Sequence, residues 1–213
     1  MSDALSALLA DAARGVFPPA DGSATVLPQP NSRDAGVIAF TAHAVIFTDE
    51  DPEWVRGRLR EVPSDPLAAA LCPPFLTAFT ARTGRMVNNI DLLTVAEPLQ
   101  GEPPLTLSPI EDPDHPRVAR AHKYRDDVRV WAGEGGVVVL GRGVAGRWEV
   151  AVEVDPAARG KGTGRALARA ARHLVPEGGV LWAQQAPGNA ASVRAFQAAG
   201  YRPVGAEALL VAA

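Results

Sequence analysis

Apolar residues alternate and are frequently β-branched from Val37 to Thr48 (VIAFTAHAVIFT), which predicts a strand or hairpin. Before it, Met-Ser-Asp-Ala-Leu-Ser-Ala-Leu-Leu-Ala reads as a short amphipathic helix, and residues 17–36, rich in Pro, Gly, Ser and Asp, read as a loop. After it, Asp51-Pro52-Glu53 opens a helix through Leu59 with acidic residues at its positive end. Residues 66–83 form another helical stretch, interrupted at Cys72-Pro73-Pro74 and capped by Gly84, before a strand near Asn88 to Ala96. The tract from Glu97 to Pro116 is crowded with prolines and acids and is expected to be a linker or lobe boundary. Arg117 to Arg125 then reads as a helix, and Val128 to Ala132 and Val137 to Leu140 as the strands of a hairpin turning at residues 133–136. Trp148 to Val154 (WEVAVEV) is a further strand. From Gly162 onward Ala166, Leu167, Ala170, Ala171 and Leu174 fall on one helical face and Arg165, Arg169 and Arg172 on the other. Residues 176–179 end that helix. A strand from Val180 to Gln185, a helix from Asn189 to Ala199 capped by Gly200, and a strand or hairpin from Tyr201 to Val211 complete the chain.

With 213 residues the chain holds one domain or two modest ones and has enough length for a hydrophobic core. Its 47% hydrophobic and 21% charged residues exclude a disordered or fibrous chain. A net charge of −3 argues against nucleic acid as a partner. Cys72, the single cysteine, permits neither an internal disulfide nor a cysteine-built metal site, and His43, His115, His122 and His173 lack ligand spacing, so no metal is expected. The N-terminus has no basic and apolar export pattern and no apolar run is long enough to span a membrane, so the expected address is cytoplasmic, without membrane association.

The chemistry is concentrated in Val154-Asp155-Pro156-Ala157-Ala158-Arg159-Gly160-Lys161-Gly162-Thr163-Gly164-Arg165, a glycine-rich turn between a strand and a helix. Alternate glycines let the backbone turn tightly and approach a ligand, and the unpaired N–H groups of the helix start point at the same place. Arg159, Lys161 and Arg165 add positive charge, so the turn suits a diphosphate. A P-loop is excluded because Gly162 follows Lys161 where Ser or Thr is required and Asp155 occupies the first glycine position. A dinucleotide fingerprint fits poorly: the spacing is Gly-x-Gly-x-Gly, Pro156 to Arg159 intervene after the strand, and the next strand ends in Gln184-Gln185 rather than an acid.

The pattern Val-Asp-Pro-x-x-Arg-Gly-Lys-Gly-x-Gly-x-x-Leu instead resembles the acetyl-CoA loop of the GNAT superfamily of N-acetyltransferases. A second tract, from Asn189 through Ser192 and Phe196 to Gly200-Tyr201, is similar to the helix that follows the fifth strand in that family. The resemblance covers residues 117–213. It implies an α/β acyltransferase fold with a mixed, mostly antiparallel sheet flanked by helices. The expected division is residues 1–114 as a substrate-side lobe, either an extension or a degenerate copy of the fold, and 115–213 as the acetyl-CoA-binding core. The sheet would be splayed between the strands at 148–154 and 180–185, with the cofactor in the gap. By the same resemblance the backbone of Arg159, Gly160, Lys161, Gly162, Thr163, Gly164 and Arg165 would hold the diphosphate. The backbone around Val152 and Val154 would pair with the amide-bearing arm, a backbone N–H near Val152 would polarise the thioester carbonyl, and Asn189 would steady the arm, with Phe196 nearby.

The implied activity is transfer of an acetyl group from acetyl-CoA to a primary amine, on a small molecule or a peptide, by direct attack. An ammonium with a pKa of about 10.4 must first lose a proton. Glu149 and Glu153 share one strand face, and Glu149, farther from the phosphate end, is the expected base. Either glutamate is also a candidate ion-pair partner for Arg142 or Arg147. Many relatives carry a proton-donating tyrosine where this chain has Phe196, which leaves water, or Ser192, to protonate the departing thiolate. A catalytically silent acyl-CoA-binding module is the alternative reading, a dinucleotide-binding protein a distant third, and a homodimer is left open.

Overall fold

A computed structural model describes residues 4–62, 65, 67–112, 114–176 and 179–212. Expected features that touch positions outside them are the first residues of the opening helix, Pro66 at the start of the second helical stretch, Pro113 in the tract from Glu97 to Pro116, and Glu177 and Gly178 in the turn at 176–179. In chain order the first elements are α1 (Ala4–Ala13), β1 (Ser23–Leu27), β2 (Ala35–Phe40), β3 (His43–Phe47), α2 (Pro52–Glu61), α3 (Pro73–Thr83) and β4 (Arg85–Ala96). They are followed by β5 (Ser108–Pro109), α4 (Pro116–Tyr124), β6 (Asp126–Gly133), β7 (Gly136–Arg142), β8 (Trp148–Val154), α5 (Thr163–Ala171), β9 (Leu181–Gln185), α6 (Ala190–Ala198) and β10 (Arg202–Ala212). The expected mixed α/β class is what the described residues form, with parallel and antiparallel pairings both present.

Local signals explain most boundaries. Asp51 caps α2 by accepting from the Glu53 N–H at 2.9 Å, with Pro52 in the first turn where a missing N–H costs nothing. Pro73 and Pro74 likewise begin α3 rather than merely interrupt a longer helix, and Gly84 ends it at φ +64°. The interrupted stretch before them is a short 3-10 turn, Ala69–Leu71. The segment 17–36, expected to be loop, contains β1, which pairs in parallel with β3 from Ser23↔His43 to Leu27↔Phe47. That strand depends on non-local partners. Buried His43 bridges Asp21, at 3.1 Å from Nδ1, and Thr25, at 2.9 Å from Nε2, and so fastens β1 to β3.

The chain divides into two compact units, Met1–Leu92 with Val204–Ala213 and Leu93–Pro203, so the expected boundary after residue 114 lies inside the second. In the first unit the strand order is β1-β3-β2-β10-β4, and its core is built from residues such as Val37, Ile46, Val55, Phe75, Phe79 and Leu210. In the second the order is β4-β9-β8-β7-β6-β5, and Val138, Leu140, Val150, Leu167, Leu181, Phe196 and Tyr201 fill the core under α5 and α6. A smaller cluster under α4 joins Val118, Ala121, Val130 and Val139. The proline-rich tract after Glu97 was expected to be a linker, yet it is part of the second unit. Leu99 N–H donates to Arg172 C=O at 2.9 Å, Leu105 and Leu107 pack on the core, and β5 pairs with β6. Proline denies ladder donors but not apolar contact, which is why composition misread it. No helix among the described residues is long and apolar enough to cross a membrane.

Candidate functional site

The site lies wholly within the second unit and begins with a fork between β8 and β9. Alternation in Trp-Glu-Val-Ala-Val-Glu-Val sends Trp148, Val150, Val152 and Val154 to the core face and Glu149 and Glu153 to the opposite one. Along one edge β8 is antiparallel to β7 over its whole length, from Gly136↔Val154 to Arg142↔Trp148. Along the other it is parallel to β9 through two pairs, Trp148↔Leu181 and Glu149↔Trp182. Beyond those pairs, Val150–Val154 continues without β9 as a ladder partner. The far end of β9 is engaged elsewhere: Thr94 Oγ1 donates to Ala183 C=O at 3.1 Å and accepts from Gln185 Nε2 at 3.1 Å. The expected splay is present, and Val152 and Val154 stand on the edge that β9 leaves, the Val154 C=O accepting from Arg159 Nε at 3.3 Å.

At the mouth of the fork β8 runs into the glycine turn. Asp155 N–H donates to Gly135 C=O at 2.9 Å, Pro156–Ala158 forms a 3-10 turn, and Thr163 Oγ1 donates to Ala158 C=O at 3.1 Å. Gly160 and Gly162 have φ of +74° and +86°, a region that costs an L residue with a side chain about 1–2 kcal/mol. Gly162 is the N-cap of α5, so the N–H groups of Thr163, Gly164 and Arg165 have no intrahelical acceptor. The first turn of α5 contains no acidic residue, and the side chains of Arg159, Lys161 and Arg165 are exposed around it. At Gly164 an added Cβ would stand 3.4 Å from Val154 Cγ2, so the helix start sits directly against the end of the open strand. Orphan donors, a positive helix end and three cations together are the groups that could hold an anion such as a diphosphate.

Glu149 occupies a different environment from the one expected of a base. It is 4% exposed, and its carboxylate accepts from Arg147 Nε at 2.8 Å, Arg125 Nε at 2.9 Å and the Val144 N–H at 3.4 Å. Burial alone would push this carboxyl up. Arg147 and Arg125, helped by hydrogen bonds from Arg147 and Gln184, overcome it and bring the pKa down to about 2. Glu153 differs: it is 38% exposed in its side chain and pairs with Arg117 Nε at 3.1 Å. Arg147 was legible in the sequence as an ion-pair partner. Arg142 takes another role, pairing with Asp127 at 3.3 Å with its guanidinium 4.5 Å from the centre of the Trp148 ring. Arg125 and Gln184 were missed. Only the end of α4 and the far half of β9, brought together by the fold, reveal them; a basic residue closing a helix was the one available signal.

Across the fork, the Asn189 carboxamide oxygen caps α6 by accepting from the Ser192 N–H at 3.1 Å, leaving its amide nitrogen as the end that can donate to a ligand. Phe196 is 4% exposed and meets Tyr201 edge-on at 4.9 Å, so its ring belongs to the core under α6 rather than to the wall of the gap. Tyr201 does not replace the missing acid: its hydroxyl donates to Ala168 C=O at 3.1 Å, and burial pushes its pKa well above the ordinary tyrosine range. Among the described residues no group of three His, Cys, Asp or Glu could hold a metal.

Residues 102–201 match the family model described as the acetyltransferase (GNAT) family. Two solved structures are similar to this chain. One, a putative acetyltransferase from the GNAT family of Novosphingobium aromaticivorans, is 17% identical with a TM-score of 0.42 over 60% of this chain and 66% of that one. The other, a GCN5-related N-acetyltransferase from Kribbella flavida, is 17% identical with a TM-score of 0.43 over 99% of this chain and 95% of that one. A search of curated proteins finds no match.

Proposed function

Starting from a chain whose residues 102–201 match the GNAT acetyltransferase family model, we propose that the protein transfers the acetyl group of acetyl-CoA to a primary amine. The observation that carries the reading is the junction of a strand edge with a glycine turn suited to an anion: Val150–Val154 runs along the fork without β9 as a ladder partner and ends at the turn of Arg159–Arg165, where Arg159 Nε donates to the Val154 C=O at 3.3 Å. The turn fits the diphosphate of coenzyme A. The strand edge fits its amide-bearing arm, which can add to β8 as a peptide strand adds to a sheet. Asn189 stands at the start of the facing helix, its donor end available to the same arm.

Bound acetyl-CoA supplies an activated acyl group, and the chain contributes position and polarity. A backbone N–H near Val152 would donate to the thioester oxygen as charge builds there. The amine nitrogen bonds to the carbonyl carbon, the carbon–sulfur bond breaks, and the thiolate leaves. We assign acceptance of the amine proton to Glu153, because a carboxylate already shared by two guanidinium groups, as in Glu149, is a poor proton acceptor. Phe196 and Tyr201 provide no acid, so the thiolate takes its proton from water or from the Ser192 hydroxyl, which a thiol pKa of about 8.5 allows.

The direct test combines calorimetry of acetyl-CoA binding with a free-thiol release assay over a panel of small amines and amine-bearing peptides. Tight binding with acetylated amine as product is the expected result. Binding without turnover on any amine would identify a silent acyl-CoA module, and no binding would end both readings. Glu153→Gln is expected to lower kcat about 100-fold, the modest end of general-base effects, at unchanged acetyl-CoA affinity. An unchanged kcat would remove Glu153 from the chemistry.

A further inference from the structure

The buried charges beneath the fork are not explained by the transfer chemistry. Glu149 is the β8 member of the last ladder pair before the strands part, Glu149↔Trp182. Its carboxylate lies on the sheet face opposite the core and cannot reach an acceptor amine through 4% exposure. What it does reach is every element that meets at the vertex. Arg125 follows α4, Arg147 precedes β8, the Val144 N–H belongs to the turn between β7 and β8, and Gln184 lies on β9 two residues past the last pair. Arg147 also leans on β9, its guanidinium 5.2 Å from the centre of the Trp182 ring. The pocket is shaped for this one carboxylate. A Cβ added at Gly143 would come within 2.2–2.5 Å of its three terminal atoms, so nothing larger than glycine leaves room for it.

Burying a carboxylate and two guanidinium groups is costly, and a well-packed apolar set would hold a sheet together as firmly. A cluster of this kind has discrete geometry, however, whereas apolar contacts slide. We propose that Glu149 is a positioning residue that sets the opening of the β8–β9 fork: its carboxylate ties β8 to β9 and to the end of α4, and so fixes where the fork-side edge of β8 stands. The proposal rests on the acetyl-transfer reading for its kinetic consequence but not for its structural one. A shift of about 1 Å in the polarising N–H relative to the thioester is enough to lower turnover by a factor of about 10 to 100, while the diphosphate turn at the strand's other end is undisturbed.

Gly143→Ala and Glu149→Gln displace the same group by different means, one by crowding and one by removing its charge. In the full chain labelled with fluorotryptophan, both variants are expected to move the Trp182 resonance. Both are expected to lower kcat by a factor of about 10 to 100 while leaving the dissociation constant for acetyl-CoA within about threefold. A purely structural role would leave kcat of the folded fraction unchanged. Arg125→Lys, which keeps the charge but loses the fixed fork of donors, serves as the third variant should either of the others fail to fold. Wild-type kcat and an unmoved Trp182 resonance in whichever variants fold would overturn the proposal. If the wild-type chain binds no acetyl-CoA, the transfer reading fails, and the Trp182 resonance alone then decides whether Glu149 sets the fork.

Discussion

Replacing Glu149 with glutamine is expected to lower the free energy of unfolding at neutral pH by about 3–5 kcal/mol, the range for breaking a buried pair and stranding its partners. Arg147 and Arg125, with side chains 4% and 13% exposed, would then face a neutral amide. The pH dependence identifies the cause. The carboxyl ionises at about 2 in the folded protein against 4.5 ordinarily, so the unfolded chain binds the proton more tightly. Stability from this group is therefore fully present above about pH 5 and is lost as pH falls from there toward 2, amounting to about 3 kcal/mol. Urea unfolding of both proteins from pH 7 to pH 3 measures it. The wild type should weaken steeply through the acid range and Glu149→Gln distinctly less; parallel curves would mean that the carboxylate is not held by its two arginines.

The second large effect belongs to the turn. Gly162→Trp should weaken acetyl-CoA binding at least about 1000-fold while leaving the fold in place. A Cβ at this position points into open space, with Arg165 Nη2 at 3.8 Å as its one near neighbour, so the indole projects over the start of α5 instead of into the core. On the proposed acetyl-CoA reading, that is where the diphosphate would accept from the N–H groups of Thr163 to Arg165. Losing two or three charge-assisted hydrogen bonds of about 1.5–3 kcal/mol each accounts for the factor. The positive φ adds strain of about 1–2 kcal/mol, so a melting comparison belongs beside the calorimetry. Gly162→Ala carries the strain without the bulk and separates the two contributions. Undiminished affinity in the tryptophan variant would place the diphosphate elsewhere.

Much of this architecture was legible because the relevant physics is local. The helical spacing of Leu167, Ala170 and Ala171, the alternation in Trp148–Val154, the helix opening at Asp51-Pro52-Glu53 and the glycines before Thr163 are each read within a few residues, and the structure has them where the patterns put them. β1 was not legible, because its pairing partner β3 is some twenty residues away and its own composition is that of a loop. The tract after Glu97 was misread for a related reason: its prolines shorten the ladder to the brief β5 pairing with β6 but do not prevent the packing of Leu105 and Leu107.

Glu149 and Glu153 mark the boundary between the two kinds of information most clearly. Alternation along one strand was sufficient to put both glutamates on one face, and the glycine pattern was sufficient to put a tight turn at the start of α5, because both follow from backbone geometry over a few bonds. The difference between their surroundings was not encoded there. Burial and the approach of Arg125, Arg147 and Gln184 hold the first glutamate ionised and out of reach, while the second remains half-exposed with a single partner. Those differences come from segments distant in the chain that meet only on folding, and a carboxylate's chemistry depends on what surrounds it in space rather than on its neighbours in sequence.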